Sequence, residues 1–368
     1  MASNKRAALL GAHMGKMTKP SELRPVLTSL NGDNSWLMSF PVPPDEGPTA
    51  TKHRKVYYHI VFDPWFQSSG AAVTVASWII WAALTAQSTI QNGDDVEQIA
   101  REIELSAAKA GLVAGNEEPG GGNERMVDAI VISSRVTDHL HEESLRQFDR
   151  RIPVVAVPDA AVILNGWDYF DTVVSMQDMG GDDGSEWQGL HPRGPLPGWL
   201  TPFRLRESAL NFAIVIVWSR GLVDIEVSGA AAAQQTPQHE ALWVSPHGMH
   251  LEQPPLQAFL RDTTKTVNVL AMLHPLKEGF TWGWNTVLGV TGGLAVERAL
   301  GGPKYWIPTA NAALSYWGLF MLRVQDIPRS MEWGLAKEER IAREKGEAVV
   351  ERRPNLVQVK SGESLVLE

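Results

Sequence analysis

The chain has 368 residues, 44% of them hydrophobic and 20% charged, with a net charge of −9 and no cysteine. Such a composition supports a buried core in one large domain or two modest ones and excludes global disorder. The acidic balance leaves no basic excess to neutralise phosphates, so no nucleic-acid partner is expected. Without cysteine there are no disulfides, zinc fingers or thiol nucleophiles, and any metal must be held by His, Asp or Glu.

The first 30 residues, opening MASNKRAALLGAHMGKMTK, are basic and mildly apolar but lack the apolar stretch and cleavage site of a signal peptide. They read as a polar arm, and the cytosol is the default compartment. Ser35–Pro41 and Tyr57–Phe62 are rich in aromatic and β-branched residues and are expected strands, the second stopped by Asp63-Pro64. Ala71–Asn92 carries no charge and approaches the ~20 residues of a membrane span. Thr, Ser and Gln interrupt it, so a buried or lid-forming segment is expected rather than membrane contact. Asp95–Ala110 has helical periodicity and an acidic start, and Glu117–Asn123 (EEPGGGN) reads as a surface turn.

Val127–His141 (VDAIVISSRVTDHLH) begins as a short buried strand and opens into a polar loop holding Asp138 and His139. Beyond it, Val154–Val157 and Thr172–Ser175 are expected strands flanking a helix at Ala160–Asn165. Met179–Leu200, rich in Gly, Pro and Asp, is a long loop. Asn211–Trp218, Ala241–Ser245, Val267–Leu273 and Lys304–Pro308 are further strands; Glu332–Arg353 is a charged helix, and the tail to Glu368 an appendage. Strands in pairs followed by strands alternating with helices imply a layered α/β protein, with its main domain at 31–330.

Five features fall in a recognisable order. Asn34-Ser35-Trp36 opens the first strand, and Phe62-Asp63-Pro64-Trp65 closes the second. After them come the 127–141 loop, Trp243–Gly248 (WVSPHG) and Lys304–Gly318 (KYWIPTANAALSYWG). This resembles the metallo-β-lactamase superfamily, specifically its UlaG-like, lactonase-type branch as found in fungal proteins. The resemblance implies an αββα four-layer sandwich. It also implies an H-x-H-x-D-H loop that clamps two divalent ions about 3.5–4 Å apart around an attacking water.

Here Ser134 and Val136 stand where the two leading histidines should be, and Thr309-Ala310-Asn311-Ala312 replaces the terminal histidine motif. Asp138, His139 and His247 keep or replace ligand positions. They would form either a 2-His-1-carboxylate site for one Zn or Fe, or a metal-free acid/base group. The metal-free version is the leading expectation. It gives a small-molecule enzyme that has lost its dinuclear centre, a lyase, isomerase or cyclase acting on an apolar or aromatic metabolite, plausibly in secondary metabolism. A mononuclear lactonase- or esterase-type hydrolase and a non-catalytic small-molecule binder are the alternatives, and a homo-oligomer is possible.

Asp63, Trp65, Ser134 and Asn311 are expected at the substrate, with Asp63 also supporting the signature loop. Each residue has a plainer role as well. Asp138 would cap a helix starting near Glu142, Asp63 would stabilise a turn, and His139, His141 and His274 would be ordinary loop or core histidines. Ser133 or Ser134 with His139 and Asp138 would make a nucleophilic triad only if space allows it. Trp65, Trp78, Trp81, Trp187, Trp199, Trp282 and Trp284, half of the 14 tryptophans, fall at loop or site edges and would suit an aromatic ligand if they line a cavity. Gly11–Thr18 has the wrong spacing for a P-loop. Gly289–Gly293 opens a helix, either cradling an anion or packing closely.

Overall fold

The structure is a computed structural model describing residues 2–44, 55–66, 71–72, 80–113, 125–181, 186–225 and 234–368. Trp78 and the Glu117–Asn123 turn lie outside these. Two large sheets form the centre. The first has seven strands, ordered Ser364–Val366, Val26–Ser29, Trp36–Pro41, Tyr57–Phe62, Val127–Ile132, Val154–Ala156 and Val173–Ser175. Its early strands pair antiparallel, and from Tyr57–Phe62 onward pairing is parallel. The second has six strands, ordered Tyr305–Ile307, Val267–Leu273, Gln234–Val244, Phe212–Ile225, Leu200–Arg206 and Gln177–Asp178.

The period-two alternation of strand side chains decides how the layers stack. Ile214, Ile216, Trp218, Leu242 and Val244 enter the core shared with the first sheet, where Phe40 and Trp218 meet at 5.1 Å between ring centroids. Their neighbours Ala213, Val215, Val217, Ala241 and Trp243 face a separate core under the helices Pro254–Ala258, Gly289–Ala299 and Met331–Lys345. The helices Ala2–Met14 and Gly93–Lys109 cover the first sheet, burying Leu10, Met14, Val96, Ile99 and Ile103. The order is helix, sheet, sheet, helix: the αββα sandwich. Fully burying a side chain such as Trp36 or Trp306 contributes roughly 2–3 kcal/mol. The indole N–H groups of Trp218 and Trp243 lack partners, which offsets about 1–3 kcal/mol each.

Both chain ends depart from the expected arm and appendage. Leu10 and Met14, spaced i and i+4, anchor the first helix, and Arg6 binds Glu102 at 2.6 Å. Val26–Ser29 lies inside the first sheet, with Ser364–Val366 on its outer side and Arg24 Nε donating to the Leu367 carbonyl at 2.8 Å. Burial of a few spaced apolar residues, not overall polarity, decides these segments. The charged C-terminal helix stops at Lys345 rather than Arg353, because Gly346 takes the left-handed cap at φ 71°. Asp138 caps no helix; His141 accepts the Ser144 N–H at the start of Glu142–Leu145.

Two three-stranded sheets sit beside the sandwich. One joins Trp284–Val287, Glu278–Thr281 and Val324–Ile327; the other joins Leu314–Trp317, Trp81–Leu84 and Ala71–Ala72. The last two strands come from the long uncharged run. Among the described residues no helix is long and apolar enough to cross a membrane.

Candidate active site

Parallel pairing of Tyr57–Phe62 with Val127–Ile132 brings the ends of both strands together. Asp63, at φ 45°, donates its N–H to the Val131 carbonyl and turns its carboxylate under the following loop. Asp63 Oδ1 accepts the Ser133 N–H at 2.8 Å; Oδ2 accepts the Ser133 hydroxyl and, at 2.7 Å, His139 Nδ1. The loop itself is a tight turn. Both His139 N and Leu140 N reach the Val136 carbonyl, and Ser134 Oγ accepts the Val136 N–H at 3.2 Å.

With Nδ1 fixed on Asp63, the His139 ring presents Nε2, which lies 3.7 Å from Asp138 Oδ2. Burial pushes this imidazole toward the neutral form, but Asp138, Asp63 and Asp33 together raise it to about 9. These carboxylates thus favour the charged form of the ring. Burial raises the Asp63 carboxyl, and the bonds from His139 and Ser133 oppose that rise. Asp138 Oδ1 is buried and has no hydrogen-bond partner. His247 is half-buried, with Nδ1 donating to the Thr286 carbonyl at 3.1 Å. Burial first, then the neighbouring His139 charge, lowers its pKa, so it is neutral.

Asp138 and His247 face a cavity of about 520 Å³. Its apolar wall comes from the small sheets and their loops, with Ile80, Trp282, Trp284, Leu314 and Phe320, and from Leu210 in the turn between Leu200–Arg206 and Phe212–Ile225. Its polar floor contains Asp33, Asp138, His247, Lys277, Tyr316 and Asp326. Lys277 Nζ donates to Asp326 and to the Ala312 carbonyl, both at 2.9 Å, and the Tyr316 hydroxyl donates to Asp326 at 2.7 Å. Burial, then the Asp326 charge, pushes the Tyr316 phenol far above its usual range. Asp33 Oδ1 accepts the Ala312 N–H at 2.9 Å, and burial raises its carboxyl against the pull of Lys277.

The structure thus brings Asp63, Asp138, His139 and His247 together. Asp63, Trp65, Ser134 and Asn311, expected at the substrate, do not line the cavity. Asp63 and Ser134 are used inside the signature loop. Trp65 is fully buried against Leu84 and Leu314, behind the wall. Asn311 Oδ1 accepts the N–H groups of Leu276 and Lys277, both at 3.0 Å, and so positions the lysine. The triad reading fails on Ser133, whose hydroxyl is buried and spent on Asp63. Of the flagged tryptophans, Trp282 and Trp284 line the cavity, whereas Trp187 and Trp199 are core residues. Asp33, Lys277, Tyr316 and Asp326 were not expected. Only the Asn31-Gly32-Asp33-Asn34 turn before a strand offers a sequence signal.

A dinuclear centre does not fit these residues. Ser134 Oγ is engaged in the loop, Val136 has no donor atom, and Ala310 and Asn311 offer no imidazole. Among the described residues, no group of three or more His, Asp or Glu side chains is placed to hold an ion. His274 stands apart: its Nδ1 donates to the Pro275 carbonyl, its buried Nε2 has no partner, and burial lowers its pKa to about 4.

No protein-family model matches the sequence, and no curated protein matches it. Among solved structures, the chain is similar to a possible metal-dependent hydrolase from Veillonella parvula, with 9% identity and a TM-score of 0.43 over 94% of this chain and 100% of that one. It is also similar to an isothiocyanate hydrolase from Delia radicum gut bacteria, with 8% identity and a TM-score of 0.41 over 93% and 98% of the two chains. A third is Igni18, a metallo hydrolase from Ignicoccus hospitalis, with 12% identity and a TM-score of 0.38 over 94% and 98%. The layer order described above, rather than these remote overlaps, establishes the sandwich.

Proposed function

We propose that this chain is a small-molecule enzyme acting on an apolar or aromatic compound by acid/base chemistry of its own side chains. The supporting observation is the placement of Asp138. Its carboxylate stands at the wall of an apolar cavity, with one buried oxygen unpartnered, against a charged imidazole that a buried carboxylate holds in place.

Asp138 is the proton acceptor, taking a proton from a bound C–H or O–H group, or from a water between it and the substrate. Asp138 returns that proton to the oxygen or carbon that becomes basic, while His139, fixed at Nδ1 by Asp63 and buried behind the cavity, stands with Nε2 3.7 Å from Asp138 Oδ2. Its positive charge also stabilises a developing enolate or alkoxide. This chemistry serves lyase, isomerase or cyclase reactions.

The test is turnover across a panel of apolar aryl ketones, lactones and esters, comparing the wild type with Asp138→Asn. The substitution keeps shape but removes the base. Loss of at least about 100-fold in turnover with an unchanged melting temperature supports the assignment, in the range general-base catalysis contributes. Retained turnover in a folded Asp138→Asn removes Asp138 from the reaction.

A further inference from the structure

We propose that the cavity takes an amine: a ligand with an apolar body and a cationic nitrogen received between Asp33 and Asp138. The inference deepens the small-molecule reading above and rests on it.

The charges of the cavity floor do not balance. Four carboxylates, Asp33, Asp63, Asp138 and Asp326, stand at or directly behind it, against at most two cations among the described residues, His139 and Lys277. Lys277 is committed to Asp326 and the Ala312 carbonyl, and Asp63 is committed to Ser133 and His139. Asp138 shares His139 with Asp63, at 3.7 Å from Nε2, and the carboxylates outnumber the cations whichever protonation state His139 takes. Asp33 is 2% exposed, and its carboxylate accepts the Ala312 N–H at Oδ1. Asp138 Oδ1 is buried with no hydrogen-bond partner among the described residues. A buried carboxylate oxygen in that condition calls for a donor or a cation.

The wall chemistry agrees. Trp282, Trp284 and Phe320 line the wall, and aromatic faces attract ammonium groups by cation–π interaction. One such face is already used, with the Arg323 guanidinium 5.0 Å from the Trp282 ring centroid. A carboxylate ligand would meet two like charges at the floor. A neutral ligand would leave them uncompensated. An ammonium on a bulky apolar body satisfies both the floor and the wall.

The experiment is calorimetric titration of the full-length protein with three matched probes: 1-naphthylmethylamine, 1-naphthylmethanol and 1-naphthoate, at neutral pH and low salt. The amine is expected to bind at least about tenfold more tightly than the alcohol, with the naphthoate weakest. Asp33→Asn, which keeps an oxygen acceptor for the Ala312 N–H, should erase most of that preference while leaving the alcohol affinity in place. Asp138→Asn should do the same if Asp33→Asn unfolds. Equal binding of amine and alcohol, or preference for the naphthoate, overturns the amine class yet leaves the acid/base reading standing. Binding of none of the three overturns the amine proposal together with the small-molecule cavity. The acid/base reading fails separately, through retained turnover in Asp138→Asn.

Discussion

Asp63→Asn probes the support of the site most sharply. Asp63 Oδ2 receives two donors, His139 Nδ1 at 2.7 Å and the Ser133 hydroxyl, while Oδ1 receives the Ser133 N–H. An asparagine offers one acceptor oxygen and an NH₂ group that must face a donor. The rise of His139 from 6.5 to about 9 corresponds to about 3 kcal/mol favouring the charged ring, shared among three carboxylates and net of burial. Breaking a buried pair of this kind costs about 3–5 kcal/mol. A loss of about 3 kcal/mol at pH 7 is therefore expected, on the order of 5 °C in melting temperature. Because the folded-state value is raised, the wild-type stabilisation is full below about 6.5 and is lost as pH climbs through about 9. The variant should lose most of that alkaline decline. Two-dimensional imidazole NMR can follow His139 among the ten histidines, assigned with His139→Gln. An Asp63→Asn protein whose His139 still titrates near 9, with an unmoved melt, would refute this account of the pair.

Other outcomes follow from local geometry. An alanine Cβ at Gly293 would lie 2.5 Å from two ring carbons of Trp306 and 2.7 Å from His274 Nδ1. Gly293→Ala should thus lower stability by about 1–3 kcal/mol in a denaturant melt, and a neutral result would show that the helix can shift. This close approach is the packing role read for the Gly289–Gly293 run. Trp284 is 78% exposed yet lines the cavity. Trp284→Ala should leave stability within about 0.5 kcal/mol but weaken an apolar fluorescent probe several-fold, and an unchanged probe affinity would remove Trp284 from the wall.

Elements with dense local signals were legible in the sequence. Tyr57–Phe62 and Val267–Leu273 are rich in apolar, β-branched and aromatic residues, broken only by His59 and Asn268, and both form strands with the expected bounds. The helix Gly93–Lys109 was announced by its acidic first turn and apolar periodicity. Short elements in polar surroundings were not legible. Val26–Ser29 pairs with Trp36–Pro41, and Ser364–Val366 gains its strand identity only by joining Val26–Ser29 from across most of the chain. The Asp63–His139 contact spans 76 residues and depends on two parallel strands ending side by side, so only the family resemblance could suggest it. The cavity floor was less visible still. Lys277, Tyr316 and Asp326 come from separate loop and strand positions with no shared spacing, joined only by the small sheets that pack against the sandwich. Trp282 and Trp284 did flag themselves. They flank Gly283 in a tight hairpin where Trp282 and Gly283 both have positive φ, which turns two large rings onto the cavity.

The acid/base account stands or falls on the pH profile of kcat/KM for the first substrate turned over, measured with and without EDTA. With Asp138 as the base and cationic His139 behind it, activity should fall as pH rises through about 9 and be indifferent to the chelator. Activity that rises through pH 6–7 and persists above 9 would instead make neutral His139 the base. Loss of activity in EDTA, restored by one added divalent metal, would contradict the account outright.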